Sequence, residues 1–259
     1  MSTRHDIGIW IYTDADNTLW DTNAVFANAQ LRLLGHAEHI AGMQAPSPDR
    51  LHYLRQVDQD IAKKHHAHLR YPPILLLRAL TLALQGTPRD AAVAKVLSQG
   101  ATPSELEVIA LEDYGRDLEK APSLLPGVSD GLKLASQRGI PVYLVTEGPA
   151  TTASARLKDL SIEGYVEGVL SATKSKELYL RLMERAAPRL ATMIGDQPDR
   201  DVRLAHGAGM KTVLVRGQFV PHWVSKDDEG AADAVVPDFL AGIRWAIDQS
   251  THKSRAVVN

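Results

Sequence analysis

The chain has 259 residues, a length that accommodates one large α/β domain or a core domain with a smaller inserted one. Its 44% apolar and 23% charged residues are typical of a soluble protein, and a net charge of -2 gives no electrostatic reason to expect nucleic acid or a membrane as a partner. The absence of cysteine excludes disulfides and thiolate metal sites. Residues 1–6 are polar and charged, and no apolar run is as long as a membrane span, so we expect a cytoplasmic protein.

An apolar segment near the N-terminus ends in two aspartates. Residues 7–13 are apolar and β-branched, which predicts a short strand buried on both faces. Asp14 and Asp16 follow, and side chains two positions apart on extended backbone project to the same side. Two carboxylates held close together repel each other unless a cation or a proton neutralises them. Taken alone the pair is also typical of a turn or helix cap, but in a site it predicts a metal, a raised carboxyl pKa, or both.

The next hundred residues carry helical patterns. A first helix has apolar residues at helical spacing and is predicted to end at Gly35. Further helices are predicted from a cap at Ser47-Pro48, an apolar stretch over 72–85, a cap at Thr87-Pro88, and a capping box from Thr102 to Glu105. Residues 22–118 are therefore predicted to form an all-helical unit.

From residue 126 onward, predicted strands and helices alternate. The later strands are predicted at 141–145, 166–170, 190–194, 211–215 and 234–236, and the last helix at 239–247. This alternation predicts an α/β fold with a doubly wound parallel sheet. The core would comprise residues 1–21 and 119–250, the helical unit 22–118 would be inserted as a lid, and residues 251–259 would form a flexible tail.

Polar residues follow several of the predicted strands. Asp14, Thr146 and Asp196 each stand at the carboxyl end of an apolar strand. Because ligands of doubly wound sheets bind at that edge, we expect the three side chains to face one crevice.

Four motifs occur in order along the chain. They are Asp14-Ala15-Asp16-Asn17-Thr18, Thr146, a lysine at 174 or 176, and Gly195-Asp196 with Asp201 five positions on. Together they resemble the haloacid dehalogenase superfamily, in its phosphatase branch with a helical cap inserted after the first strand. The resemblance covers nearly the full length and implies a Rossmann-like core with an all-helical cap.

The third motif has two candidate lysines. Lys174 and Lys176 lie two positions apart, and the proline that usually follows the lysine in this family is absent. Lys174 is preferred because its spacing to Tyr179 resembles family members without that proline. The sequence leaves the choice between them open.

The resemblance implies a Mg²⁺-dependent phosphomonoester hydrolase. A carboxylate with a reference pKa of about 4 is ionised at neutral pH, so Asp14 can attack phosphorus without a base, forming an aspartyl-phosphate. Asp16 would protonate the leaving group, and Lys174 would offset negative charge. Asp14 and Asp196 would bind Mg²⁺ through their side chains, and Asp16 through its carbonyl oxygen.

The resemblance also implies roles for Thr146, Glu147 and Asp201. The Thr146 hydroxyl and the Glu147 backbone amide would bind phosphate oxygens. Asp201 would orient the lysine or a metal-bound water. The dehalogenase branch lacks the second aspartate of the first motif, so Asp16 favours phosphoester chemistry on a small phosphorylated metabolite whose identity stays open, as does the oligomeric state.

Two alternatives remain. A phosphomutase of the same superfamily would return the phosphoryl group to the substrate. A regulatory protein would bind a phosphate ligand without turnover, but binding alone does not need an acid such as Asp16 beside a nucleophile such as Asp14.

Overall fold

The computed structural model describes residues 8–67, 71–98, 100, 102–217 and 230–256, the side chains of 251–256 excepted. The chain divides into two compact units, one formed by Met1–Thr22 with Ala121–Asn259 and the other by Asn23–Lys120. Within the described residues, no helix combines the length and the apolar character needed to cross a bilayer.

The first unit is built on a parallel sheet. Its strands are β1 (Ile9–Thr13), β2 (Val142–Thr146), β3 (Gly168–Ser171), β4 (Leu190–Gly195), β5 (Lys211–Val215) and β6 (Ala234–Val236). Their order across the sheet is β3-β2-β1-β4-β5-β6, and every neighbouring pair is parallel. The first strand in sequence therefore lies inside the sheet, between β2 and β4, and the predicted doubly wound α/β fold is confirmed.

Helices cover both faces of this sheet. In the described residues of this unit the α-helices are α6 (Val128–Gln137), α7 (Ala150–Asp159), α8 (Lys176–Ala186), α9 (Arg203–Gly207) and α10 (Phe239–Ala256). Ile9 and Ile11 of β1 pack in one core cluster with α6, α7 and α10, whereas Tyr12 packs in another with α8 and α9. Since alternate residues of a strand point to opposite faces, a strand buried on both is mainly apolar, as β1 is before Thr13.

The last helix is longer than the sequence predicts. It begins at Phe239, as expected, but continues past residue 247 to Ala256. Residues 257–259 lie outside the described part, and the flexibility of segment 251–259 stays a prediction.

The second unit is helical in the part that the structure describes. It contains α1 (Thr22–Ala41), α2 (Arg50–Lys64), α3 (Pro73–Leu84), α4 (Arg89–Ser98) and α5 (Glu105–Leu118), with α1 beginning at the junction. These helices enclose a hydrophobic core of their own, to which α3 contributes Leu76, Leu77, Ala79, Leu80 and Leu84. A helix that is apolar nearly all round is buried, as its sequence predicts.

The predicted end of the first helix is wrong. α1 continues through Gly35 as far as Ala41, and Ala37 and Glu38 are buried beyond the glycine. A glycine inside a helix costs about 1 kcal/mol relative to alanine, which the packing of the following turn outweighs.

Two predicted helix caps are displaced by two residues. α2 is capped by Asp49 rather than Ser47, since the Asp49 carboxylate accepts a hydrogen bond from the backbone nitrogen of His52 at 2.8 Å. α5 is capped by Ser104 rather than Thr102, through a capping box with Glu107. In both segments neighbouring residues compete for the cap, and the hydrogen-bond geometry selects one of them.

Candidate active site

The strand ends that carry the first and fourth motifs are adjacent in the sheet. Thr13 of β1 is aligned with Ile194 of β4, and the backbone nitrogen of Asp14 donates to the carbonyl oxygen of Ile194 at 2.9 Å. β2, which ends at Thr146, pairs with β1 on the other side. Asp14, Thr146 and Asp196 therefore emerge at one edge of the sheet.

Lys174 lies in the loop between β3 and α8 and is 8% exposed. Its ammonium group pairs with the Asp14 carboxylate and lies 2.6 Å from Asp201 Oδ1. Burial disfavours its charged form, but the charges of Asp201 and Asp14 outweigh this and raise the pKa of Lys174 well above its usual value. Lys176 is exposed at the start of α8, so the structure brings Lys174 and not Lys176 to Asp14.

Asp14 is buried among charged groups. Burial raises the pKa of its carboxyl to about 7, the positive charge of Lys174 opposes this rise, and the charge of Asp201 adds to it. Burial, followed by the charges of Asp14 and Asp201, likewise raises the pKa of Asp196 well above its usual value. The carboxylate of Asp14 thus needs compensating positive charge to be fully ionised near neutral pH, which a reference pKa alone does not predict.

Three carboxylates form a cluster that suits a cation. One oxygen from each of Asp14, Asp196 and Asp201 lies within 4.8 Å of the others. Asp201 is fully buried, and its Oδ1 also pairs with the ammonium group of Lys174. Hard oxygen ligands at this spacing fit Mg²⁺.

Thr18, the last residue of the first motif, lies between two of these aspartates. Its hydroxyl is 3.4 Å from Asp14 Oδ2 and 3.5 Å from Asp196 Oδ1, and its side chain is buried. These are long, weak hydrogen bonds, so Thr18 is a polar neighbour of the cluster rather than a strong anchor.

Asp201 reaches the cluster through a local irregularity of the backbone. Residues Pro198–Val202 form a π-helical turn, and the Asp201 carboxylate accepts a hydrogen bond from the nitrogen of Gln197 at 3.2 Å. A Cβ atom at Gly195 would lie 2.4 Å from the Asp201 side chain, so only glycine leaves room for it. The glycine of the fourth motif therefore has a packing role.

The side chain of Asp16 is held away from this cluster. Its Oδ1 accepts hydrogen bonds from Trp20 Nε1 at 2.8 Å, Thr22 Oγ1 at 2.5 Å and Arg156 Nη1 at 3.1 Å. The Arg156 contact was not foreseen, because Arg156 lies on α7, far from Asp16 in sequence, and no local pattern distinguishes it from other helical arginines.

Thr146 and Glu147 stand at the end of β2. The Thr146 hydroxyl accepts a hydrogen bond from the nitrogen of Gly148 at 3.0 Å. The Glu147 carboxylate accepts one from the backbone nitrogen of Lys174 at 3.1 Å and pairs with Arg200. The sequence assigns only the Glu147 amide to the site, whereas its side chain joins the loop of Lys174 to the π-helical turn.

The chain resembles known proteins in sequence. The family model for haloacid dehalogenase-like hydrolases matches residues 11–209. The ribulose-1,5-bisphosphate 5-phosphatase of Halopiger xanaduensis is 26% identical over 171 residues, a match that covers 62% of this chain and 63% of the relative. The chain thus matches less than two thirds of that phosphatase.

Solved structures share the fold at lower identity. A Bacillus subtilis structure assigned as the haloacid dehalogenase-type hydrolase YfnB has a TM-score of 0.56 at 18% identity, covering 92% of this chain and 97% of the other. A Thermotoga maritima structure assigned as a β-phosphoglucomutase has a TM-score of 0.56 at 22% identity, covering 90% and 97%. The family match over residues 11–209, together with the parallel sheet, shows that the chain belongs to the haloacid dehalogenase-like hydrolases.

Proposed function

We propose that this protein is a Mg²⁺-dependent phosphomonoester hydrolase that acts through an aspartyl-phosphate on Asp14. The observation that carries the proposal is the buried pair of Asp14 and Lys174 at the edge of the sheet, with a second aspartate, Asp16, two positions on. A nucleophile beside a fixed cation suits attack on a phosphoryl group, and the second aspartate suits an ester whose leaving group needs a proton. The similarity to a named phosphatase supports this activity at the level of the family.

The donor set suits Mg²⁺. Asp14 and Asp196 would hold the ion through their carboxylates, and Asp16 through its carbonyl oxygen. When bound, the ion would supply positive charge that neutralises carboxylate and phosphate and aligns them for attack. Asp201 would keep Lys174 in place, since the lysine ammonium lies 2.6 Å from its Oδ1. YfnB, which shares the fold, was solved with magnesium bound.

The proposed reaction has two steps. Asp14 attacks phosphorus while Asp16 donates its proton to the leaving ester oxygen, so the alcohol departs neutral. Lys174, the Thr146 hydroxyl and the Glu147 amide would stabilise the negative phosphoryl oxygens. Water then attacks phosphorus and gives a proton to the Asp16 carboxylate, and the bond from phosphorus to Asp14 breaks, which releases phosphate and restores both aspartates.

A phosphate-release assay with Mg²⁺ tests the proposal. The panel contains phenyl and 4-nitrophenyl phosphate, nucleotides, small phosphorylated acids, and sugar phosphates and bisphosphates, the last because the sequence relative is named for a sugar bisphosphate. We expect Asp14→Asn to abolish release without loss of folded structure by circular dichroism, and Asp159→Asn, an exposed carboxylate on α7, to leave it unchanged. Full activity of Asp14→Asn contradicts the mechanism.

The same assay separates the alternatives. A mutase converts one sugar phosphate into its isomer and releases little inorganic phosphate, so chromatography of the products distinguishes it from a hydrolase. A regulator releases none with any ester of the panel. Selection of the substrate by the helical unit, which the family resemblance implies, stays a prediction.

A further inference from the structure

Arg156 connects α7 to the loop that carries the first motif. Its Nη1 lies 3.1 Å from Asp16 Oδ1, and its guanidinium carbon is 5.9 Å from the centroid of the Trp20 ring. The side chain of Arg156 is 27% exposed and that of Asp16 is 43% exposed. An ion pair this exposed contributes little to the stability of the fold. We therefore expect the contact to affect the position and the charge of the Asp16 carboxylate.

The contacts of Asp16 distinguish its two oxygens. Arg156, Trp20 and Thr22 all donate to Oδ1. An oxygen that already receives three donors has no room to carry a proton of its own. Oδ2 is therefore the oxygen of Asp16 left for a contact with a substrate.

A hydrogen bond between two backbone groups of the same loop closes the loop that contains Asp16. Asn17 adopts a left-handed backbone conformation, with φ of 59°, and its nitrogen donates to the Trp20 carbonyl oxygen at 2.7 Å. Trp20 is 1% exposed, so its indole is a fixed donor. Trp20 lies in the same loop as Asp16, and Thr22 begins α1 directly after that loop, whereas Arg156 comes from α7 and brings a positive charge.

We propose that Arg156 is a positioning residue for Asp16, which orients Oδ2 for proton transfer and stabilises the carboxylate that the transfer leaves behind. This inference rests on the proposed hydrolase function. In the step concerned, a bond forms from an Asp14 oxygen to phosphorus, and the bond from phosphorus to the ester oxygen breaks. The electron pair of that bond stays on the ester oxygen, which takes the proton from Asp16 Oδ2. Asp16 becomes negative as the proton leaves, and Arg156 compensates that charge.

The dependence of the rate on the leaving group tests this role. A poor leaving group such as phenolate needs the proton, whereas 4-nitrophenolate departs without it. We expect Arg156→Met to lower kcat/KM for phenyl phosphate about tenfold or more, and for 4-nitrophenyl phosphate by less than about threefold. Because kcat/KM reports the steps up to the first alcohol release, hydrolysis of the aspartyl-phosphate does not enter the comparison.

Two matched variants complete the series. Lys158→Met removes a positive charge from an exposed position of the same helix and is expected to change neither ester. Arg156→Lys keeps a positive charge and is expected to recover most of the phenyl phosphate activity. The melting temperature of Arg156→Met should stay close to that of the wild type, since the pair is partly exposed.

A double variant separates positioning from a general structural effect. In an Asp16→Asn background the acid is already absent, so adding Arg156→Met should not lower kcat/KM for phenyl phosphate further. An equal loss for both esters in Arg156→Met, or a further loss in the double variant, overturns the inference while leaving the hydrolase function intact. Absence of wild-type turnover with every ester of the panel overturns the function itself, and the role of Arg156 with it.

Discussion

The ammonium group of Lys174 lies 2.6 Å from Oδ1 of Asp201, and both side chains are buried. Lys174 also pairs with Asp14. The lysine follows β3, Asp14 follows β1, and Asp201 lies in the turn after β4, so one cation ties three loops of the sheet edge together. A buried cation between two carboxylates cannot be removed without leaving their charge uncompensated.

Replacing Lys174 by methionine should therefore impair both activity and folding. We expect phosphoester turnover to fall at least about a hundredfold and the free energy of unfolding to fall by about 3 kcal/mol near neutral pH. Lys176→Met, at an exposed position, should change stability by less than about 0.5 kcal/mol and keep most of the activity. Urea denaturation and kinetics on both variants check this; an inactive Lys176→Met beside an active Lys174→Met would show that the wrong lysine has been assigned.

Gly195→Ala should destabilise the end of β4. The added Cβ would lie 2.4 Å from the Asp201 side chain, which cannot retreat easily because it is fully buried and accepts a hydrogen bond from Gln197. We expect a loss of about 2 kcal/mol with a strong reduction in activity. At Gly207 a Cβ meets nothing within 4 Å, so Gly207→Ala should be neutral or slightly stabilising by thermal denaturation. Equal melting temperatures for the two alanine variants would contradict this account.

Magnesium should stabilise the folded protein through the carboxylate cluster. At a Mg²⁺ concentration of about one hundred times Kd, binding adds about 2.7 kcal/mol to the free energy of unfolding, which appears as a rise in melting temperature. Asp196→Asn should lose this rise, yet without Mg²⁺ it should be at least as stable as the wild type, because it removes repulsion from Asp14 and Asp201. Asp199→Asn, outside the cluster, should keep the rise. A full Mg²⁺ response in Asp196→Asn contradicts the proposed site.

The buried carboxyl of Asp58 should make stability depend on pH. Asp58 lies in the core of the helical unit, where burial raises its pKa and the hydrogen bond from Tyr71 opposes that rise. Since its pKa is higher in the folded state, its contribution is most favourable below the unfolded value of about 3.9 and is lost as pH rises through the folded value. Denaturation curves from pH 4 to 8 should therefore show wild type losing stability relative to Asp58→Asn as pH rises.

Removing the hydroxyl that opposes this pKa rise provides the matched variant. Tyr71→Phe takes away the donor to the Asp58 carboxylate, so the folded pKa should rise further and the decline with pH should steepen. Each additional pKa unit corresponds to about 1.4 kcal/mol at high pH. A pH dependence identical in wild type and both variants would mean that Asp58 does not titrate differently in the folded chain.

Much of the fold could be predicted because its signals are local. β1 is apolar since it is covered on both faces, and α3 is apolar almost all round since it is the centre of its unit. The predicted end of α1 at Gly35 is wrong because a glycine ends a helix only when the residues after it make no packing contacts. Ala37 and Glu38 are buried beyond Gly35, so the helix continues. Local propensity is a weak prior where tertiary packing competes with it.

Only part of the candidate site could be predicted from local signals of this kind. Asp14, Thr146 and Asp196 could be grouped because a parallel sheet brings the carboxyl ends of its strands to one edge. The π-helical turn that delivers Asp201, and the pairing of the Glu147 side chain with Arg200, have no local pattern that predicts them.

By itself, then, the sequence determined the class of fold, the order of the strands along the chain and the residues that stand at the strand ends, since these follow from hydrophobic pattern and short-range spacing. Only the tertiary structure decided between Lys174 and Lys176, brought Arg156 to Asp16, and raised the pKa of Asp14 to about 7. Each of these depends on burial and on groups distant in sequence. Electrostatic interactions depend on distances between groups in the folded chain, and the spacing of residues along the sequence does not give those distances.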